Sequence, residues 1–373
     1  MNILLVNHKN PSSISSFSGT SFFMSRHINQ LFENVTELDI IEYSDITRSS
    51  PMGSLKKSLL SYNRQLTAYL QRNTVNHDWI ICQGGNAVVP YYTHEVPIVY
   101  WHDSTWHTYL QAYLTRQKFQ DFKHNYPRFY LWDKRALERS DVIVFSSEFI
   151  ADACIKNYKI PASKIEIVPF GANLLSAPDF EQVLRAIESK LQSEQLNLTF
   201  LGKDWERKGL RTAVLLTEKL NRIGIKASLN ILGCDPRSSF IRRCPYVKML
   251  GIIDKNREED VYFLSQTLLN SHFLIHPAVA EPFGIALCEA NAHGVPILSI
   301  AREGPQTIVR EGQNGHLFAA NSFLKKAMDT ICMYKRDNDI YSKLCSSSWN
   351  EYTQRLNWMT NTLKLKEILL NRS

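Results

Sequence analysis

Apolar runs recur along the chain, and polar or helical stretches separate them. In the first half the runs are MNILLVNH, VTELDII, DWIICQ, PIVYWHD and DVIVFSS, with amphipathic segments such as LKKSLLSYNRQLTAYLQR between them. Runs that are apolar throughout are typical of parallel strands covered by helices on both faces. The first run is followed by a Ser-rich loop and a predicted helix from Ser21 to Phe32, which is how an α/β domain begins.

The same pattern begins again in the second half. The run IEIVPFGANL closes the first series near Gly171, and the polar helical stretch 179–193 is predicted to be a linker. The second series then contains LNLTFLGKD, KASLNILG, VKMLGII, SHFLIHP and VPILSI. The sequence therefore predicts two doubly wound parallel-sheet domains, at 1–175 and 176–345, and helices at 346–373 that pack back on the first domain. Two such domains leave a cleft, and ligands of these sheets bind at the carboxyl ends of the strands.

Composition and charge narrow the class of protein. The chain has 373 residues and a formal net charge of +7, which fits a protein that handles anions. The N-terminal apolar run is too short for a signal peptide, and no stretch approaches the roughly 20 apolar residues that a membrane span needs. The seven cysteines are dispersed without a CxxC pair, which indicates reduced thiols in a cytoplasmic protein.

Two glutamates flank a Pro-Phe-Gly turn in the stretch AEPFGIALCEANAHGVP. A helix is predicted from Ile285 to His293, so Glu281 precedes the helix and Glu289 lies a turn inside it. The first amides of that helix, from Phe283 through Gly284 and Ile285, have no partner within it and form an anion site. A carboxylate accepts two hydrogen bonds and so grips a diol of a sugar or a ribose. The ordinary alternatives are a charge at a helix N-terminus for Glu281 and a solvated helix position for Glu289.

The stretch FLGKDWERKGL places three cations after a predicted strand and before a helix. Lys203, Arg207 and Lys208 in this position can surround a diphosphate and neutralise it as it leaves. The alternative is a solvated charge cluster that pairs with Asp204 and Glu206.

Two further strand ends carry candidate residues. His102 and Asp103 follow the strand of PIVYWHD, where a histidine suits hydrogen bonding or proton transfer. Gly19 ends the first loop, where a missing side chain lets phosphate approach the backbone. Asp337 and Asp339 form an Asp-x-Asp, but they lie between late helices, so no metal site is predicted.

With these motifs the chain resembles the family 4 retaining glycosyltransferases of the GT-B architecture, in which two Rossmann-like domains face across a cleft and C-terminal helices cross back. The resemblance rests on EPFGIALCE, which is similar to the family's Glu-x7-Glu element, and is supported by GKDWERKG, VPFGANL, GVPILSI, EGQNGHLF and SGT in the same order. Two loops differ from the commonest family pattern. The first has SGT where many members have two glycines, and AREGPQTIV has Glu303 and Gly304 where Gly-Gly is frequent.

The resemblance implies roles for these residues. Glu281 would contact the donor sugar and Glu289 the ribose. Lys203 and Lys208, helped by Arg207, would bind the diphosphate, together with amides near Gly19 and at 283–285. His102 would lie near the transferred sugar, with Asp103 on the acceptor side. It also implies transfer from a UDP- or GDP-linked sugar to a hydroxyl, with retention of configuration and without a metal or other cofactor.

The acceptor is expected at the first domain, as a glycan of a cell-envelope polysaccharide or a lipid-linked saccharide. The aromatic and basic stretch 109–135 could rest on an anionic membrane, which predicts a cytoplasmic, peripheral protein; a helix pair with buried aromatic residues is an equal alternative. Other readings of the whole chain are an epimerase or hydrolase on the same fold and a non-catalytic sugar-nucleotide-binding protein. No nucleic-acid recognition motif is visible.

Overall fold

The computed structural model describes residues 1–7, 14, 19–39, 68–69, 71–72, 76–83, 89–93, 95–114, 118–120 and 127–372. The chain divides into two compact units. Unit 1 consists of Met1–Pro169 and Asn361–Ser373, and unit 2 of Phe170–Thr360. Among the described helices, none is long and apolar enough to cross a membrane.

Unit 1 is built on a parallel sheet. Its strands are β1 (Asn2–Asn7), β2 (Asn34–Asp39), β3 (Trp79–Gln83), β4 (Ile98–His102), β5 (Val142–Phe145) and β6 (Ile165–Ile167). They lie in the order β2-β1-β3-β4-β5-β6, and every pair is parallel. The order reverses between β1 and β3, and the side chains of both of these strands are almost wholly buried. Such a reversal is where doubly wound sheets bind ligands.

Helices cover this sheet. They are α1 (Thr20–Leu31), α2 (Trp106–Tyr113), α3 (Pro127–Arg139) and α4 (Glu148–Tyr158), with short 3-10 turns at Val89–Tyr91 and Ala162–Lys164. One apolar cluster joins β1, β3 and β4 through Leu4, Ile80 and Ile98, and another joins β5 to α4. The C-terminal segment belongs to the same unit, since Lys364 donates to the Ile167 carbonyl at 2.8 Å and Lys366 to the Leu31 carbonyl at 2.7 Å.

Unit 2 contains a second parallel sheet of six strands. They are β7 (Leu196–Leu201), β8 (Ala227–Leu232), β9 (Val247–Gly251), β10 (Phe273–His276), β11 (Ile297–Ile300) and β12 (Gly315–Phe318). Their order is β12-β11-β10-β7-β8-β9, again parallel throughout. Counted from β7, this is the classic Rossmann order, and the chain reverses direction across the sheet between β7 and β10.

The helices of unit 2 follow the strands. They are α5 (Phe180–Gln192), α6 (Leu210–Arg222), α7 (Ser239–Arg242), α8 (Glu258–Leu269), α9 (Ile285–Ala292), α10 (Pro305–Ile308), α11 (Phe323–Arg336) and α12 (Asn338–Arg355). A last helix, α13 (Trp358–Leu370), begins in unit 2 and continues into the segment that belongs to unit 1. A single apolar cluster runs from α5 through β7 and β8 to α11 and α12.

The architecture confirms the predicted α/β class with two doubly wound parallel sheets. The named apolar runs became β1 to β11. β1, β3 and β10 are almost wholly buried, as uninterrupted apolar runs predict, whereas β6 and β9 are only partly buried. The short strand β12 was missed: its residues GHLF lack a long apolar run. The stretch 179–193 is wrong as a linker. It forms α5, whose Val183 and Ile187 are buried in the core of unit 2.

Candidate functional site

Two helices of unit 2 begin at neighbouring strand ends without a side-chain cap. Helix α6 follows β7 and begins after Gly209, at φ 75°, and α9 follows β10 and begins after Gly284, at φ 114°. No side chain caps either helix. In α6 the amides of Leu210 and Thr212 donate to preceding carbonyls, so the Arg211 amide of the first turn is left for a ligand. In α9 the amides of Ile285 and Ala286 are left. Because β7 and β10 are adjacent, both positive helix ends lie at the reversal point of the sheet. This geometry favours an anion with more than one phosphate.

The loops that lead into these helices are joined to each other. The Val279 amide donates to the Arg207 carbonyl at 2.9 Å, and Arg207 Nη1 donates to the Ala280 carbonyl at 2.5 Å. A Cβ at Gly209 would lie 2.2 Å from the Pro277 carbonyl oxygen. Glycine at this position therefore allows the two backbones to touch, and the loops hold each other in place.

A carboxylate lies among cations at this strand edge. Glu281 Oε2 is 3.1 Å from Lys208 Nζ, 3.7 Å from Arg207 Nη1 and 3.2 Å from His276 Nε2. The side chains of Glu281, Lys208 and Arg207 retain only 12%, 13% and 14% of their exposure. The structure thus brings together three of the predicted site residues and adds His276, the last residue of β10.

Electrostatics keep Glu281 ionised. Burial acts to raise the pKa of this carboxyl, but Lys208, the hydrogen bond from His276 and Arg207 outweigh it and hold the pKa well below its usual value. Burial also lowers the pKa of His276, which therefore stays neutral and donates its Nε2 hydrogen to Glu281. An ionised Glu281 accepts hydrogen bonds and does not supply a proton.

Lys208 and Lys203 occupy different settings. The side chain of Lys208 lies across the end of β7, where a Cβ at Gly202 would be 2.3 Å from Lys208 Cδ. Lys203 is exposed to solvent and makes no hydrogen bond or ion pair with a residue that the structure describes. Lys208 is thus fixed by packing, whereas Lys203 keeps the freedom to meet a ligand.

Glu289 is buried and already paired. It lies on α9, retains 2% of its exposure and forms an ion pair with Lys255 from the loop between β9 and α8. Lys255 Nζ also donates to the Asn173 carbonyl at 3.2 Å. A ribose that reached Glu289 would therefore replace, or share, the contact that Lys255 makes.

The turn before α9 places the side chain of Phe283 in the core. Phe283 retains 2% of its exposure and packs edge-on against Phe170, with ring centroids 5.5 Å apart. Anchoring this ring in the core fixes the turn. Phe283 and Gly284 are buried, and Ile285, the first residue of α9, is partly exposed.

The remaining predicted residues belong to unit 1. His102 ends β4, and its Nδ1 is 3.0 Å from the Ser104 amide and 3.3 Å from Asp103 Oδ1. Nδ1 is also 3.0 Å from the Ser104 carbonyl oxygen, so it accepts from the amide in one tautomer and donates to this carbonyl or to Asp103 in the other. Gly19 begins α1 at φ 90° without a side-chain cap, as the other two glycines do for α6 and α9.

The sequence reasoning missed several polar residues near these strand ends. His276 was not among the predicted site residues, although its place at the carboxyl end of β10 was a usable signal. No feature of the sequence pointed to Lys255, because its loop meets α9 only in the folded structure. In unit 1, Gln83 ends β3, and its buried amide has no hydrogen-bond partner in the described part of the chain.

Comparison with known proteins agrees with this geometry. Residues 30–174 match the model of Glycosyltransferase Family 4, and residues 188–338 match that of Glycosyl transferases group 1. A GDP-mannose-dependent alpha-mannosyltransferase of Corynebacterium glutamicum is 25% identical over 177 residues, which is 44% of this chain and 41% of that protein. The chain spans about half or less of the length of the curated relatives that it matches first.

Solved structures resemble the chain over its whole length. A sucrose-phosphate synthase from Thermosynechococcus elongatus has a TM-score of 0.71 at 16% identity, with all of both chains covered. HepE of Anabaena in complex with UDP has a TM-score of 0.69 at 15% identity, also with complete coverage of both. Fold and family matches together place the chain in the GT-B class of glycosyltransferases. Within that class, its N-terminal part carries the Family 4 region and its C-terminal part the group 1 region.

Proposed function

We propose that the protein transfers a sugar from a nucleoside-diphosphate sugar to an acceptor hydroxyl. One observation carries the proposal: Glu281, Lys208 and Arg207 meet where two uncapped helix N-termini lie at the reversal point of the unit 2 sheet. Cations and helix amides suit a diphosphate, and a carboxylate beside them suits the hydroxyls of the attached sugar. The similarity to a GDP-mannose-dependent transferase and to a UDP-bound structure supports this class of donor.

The chemistry follows from charge. As the bond between sugar and diphosphate breaks, negative charge develops on the departing phosphate and positive charge on the anomeric carbon. The negative charge on the phosphate is stabilised by Lys208, Arg207 and the amides at the starts of α6 and α9. The ionised Glu281 holds the sugar by its hydroxyls. Lys203 is exposed at the end of β7 and can close on the diphosphate when it binds.

We propose that the reaction retains the anomeric configuration and needs no metal. In this scheme the cations do the work that a divalent ion would do, and the departing phosphate takes the proton of the attacking hydroxyl on the same face. Glu289 holds the ribose once Lys255 yields or shares its contact. His102 contacts the transferred sugar through Nε2, and its Nδ1 is oriented by Ser104 and Asp103.

The acceptor is proposed to bind to unit 1, as a glycan of a cell-envelope polysaccharide or a lipid-linked saccharide. Tyr109 and Tyr113 of α2 expose 44% and 48% of their surface, and their rings lie 4.7 Å apart, so they offer aromatic faces on which a sugar ring can stack. Gln83 offers a buried amide at the end of β3. Part of the basic stretch 109–135, including Arg116 and Lys123, lies outside the described residues, and its contact with an anionic membrane remains a prediction.

The test is transfer from a panel of UDP- and GDP-sugars to saccharide acceptors, with three variants compared. Glu281→Gln and Lys208→Met should each lower kcat/KM by at least about a hundredfold, as removal of one transition-state contact does in other enzymes. The matched control is Lys226→Met, which removes a lysine from an exposed ion pair with Glu194 in the same unit and should retain wild-type turnover.

Normal turnover by the first two variants would refute the assignment of the site. Conversion of a nucleotide sugar without any acceptor would favour an epimerase or hydrolase instead.

A further inference from the structure

Glu303 has a strained backbone beside the proposed donor site. It lies in the loop between β11 and α10 at φ 50°, in the left-handed region that non-glycine residues avoid. Lys159 also has a positive φ, of 60°, but it ends helix α4, where this conformation is common. Glu303 does not end a helix, so its positive φ has no such explanation. Backbone strain of this kind persists where the surrounding structure imposes it, often at functional sites.

The contacts of this loop show what the strained backbone achieves. The Glu303 carboxylate accepts a hydrogen bond from the Glu281 amide at 2.5 Å, and the Gly304 amide donates to the Glu281 carbonyl at 3.0 Å. The backbone of Glu281 is thus held on both sides by consecutive residues. A Cβ at Gly304 would lie 2.3 Å from Phe283 Cα, so the two loops are in direct contact.

The arrangement also brings two carboxylates together. Burial and the neighbouring Glu281 raise the pKa of Glu303, while the hydrogen bond from the Glu281 amide and the nearby Arg302 and Arg207 oppose the rise. Backbone strain and like-charge proximity both disfavour a glutamate here. A glycine would relieve both, but it could not hold the Glu281 amide with a side chain.

We propose that Glu303 is a positioning residue for Glu281. By holding the Glu281 amide, it fixes the carboxylate between Lys208, His276 and Arg207, so that the oxygens face the hydroxyls of the transferred sugar. This inference rests on the proposed function. Glu303 acts through Glu281 and is assigned no contact with the substrate.

Two variants separate this role from an ordinary structural one. Glu303→Gly removes both the strain and the hydrogen bond, so Tm should change by no more than about 3 °C, while kcat falls at least tenfold, since small misplacements in a site cost up to about a hundredfold. Binding of the nucleoside diphosphate alone should change less than about threefold, because its phosphate contacts remain. Glu303→Gln keeps an oxygen acceptor and should restore kcat to within about threefold of the wild type.

Hydrogen exchange of the Glu281 amide, measured without any substrate, tests the contact independently of catalysis. It should be faster in Glu303→Gly than in the wild type and should return to the wild-type rate in Glu303→Gln.

Three results would overturn the inference: wild-type kcat in Glu303→Gly, equal losses of kcat in the glycine and glutamine variants, or a fall in kcat matched by a large fall in Tm. If the wild type neither binds a nucleoside diphosphate nor transfers a sugar, the proposed function fails and this inference with it. If the wild type transfers and only the Glu303 results disagree, the inference alone fails.

Discussion

The contact between Gly209 and Pro277 allows a test of how the loops before α6 and α9, which are proposed to bind the diphosphate, support each other. The perturbation is Gly209→Ala. Its control is Gly224→Ala, because both glycines have a positive φ, of 75° and 87°, but a Cβ at Gly224 would have nothing within 4 Å. The two variants share the backbone strain and differ only in the collision.

The loss of stability from backbone strain and the loss from the collision add separately. Alanine in the left-handed region costs about 1–2 kcal/mol in either variant. Gly209→Ala also forces a Cβ to within 2.2 Å of the Pro277 carbonyl oxygen, which is backbone and can yield only if one of the loops moves. Overpacking of this kind costs about 1–3 kcal/mol more. The total of about 2–5 kcal/mol lies below the usual stability of a domain, so Gly209→Ala should still fold.

Urea denaturation and titration with a nucleoside diphosphate check this reasoning. Gly209→Ala should be less stable than Gly224→Ala by about 1–3 kcal/mol. It should also bind the diphosphate at least about tenfold more weakly, because the amides of α6 and the Lys208 ammonium would move. Gly224→Ala should bind like the wild type. Equal stability and equal binding in both variants would refute the idea that this contact fixes the loops before α6 and α9.

Three other outcomes are expected. Lys255→Met should lower the free energy of unfolding by about 3 kcal/mol, since it leaves the carboxylate of Glu289 buried without its partner, and adding Glu289→Gln should recover most of the loss; a double variant as unstable as the single one would contradict this. Because burial lowers the pKa of His272 and His293 to about 4, the unfolded state binds protons below pH 6.5 that the native state does not. The free energy of unfolding should therefore fall between pH 6.5 and 4, by up to about 1.4 kcal/mol per histidine for each pH unit, whereas a flat denaturation profile would be inconsistent with neutral buried histidines. Transfer should continue at an unchanged rate in excess EDTA, and strict dependence on an added divalent ion would count against the metal-free scheme.

Much of the fold could be predicted because the central strands of both sheets are buried on both faces. β1 and β10 are largely apolar runs, and each is followed by a loop with glycine, so strand, turn and helix could be placed from local patterns. The short strand β12 could not, since GHLF becomes a strand only by pairing with β11. Helix α5 was interpreted as a linker because most of its residues are polar, yet two buried apolar side chains, Val183 and Ile187, fix it to the core.

The candidate site was predictable where sequence neighbours carry the chemistry. Arg207, Lys208 and Glu281 lie directly beside helix starts, and the structure brings them together. The partners of these residues came from distant loops. The pair of Lys255 with Glu289 and the bond from the Glu281 amide to Glu303 depend on which strands are adjacent, which local sequence does not encode.

We expect a diphosphate to bind where α6 and α9 begin, beside Lys208. A crystal structure of the protein with a nucleoside diphosphate tests it most directly. Phosphate oxygens should lie at about 3 Å from amides in the first turns of these two helices and from the Lys208 ammonium. A diphosphate bound away from the ends of β7 and β10, with these amides and Lys208 untouched, would contradict it.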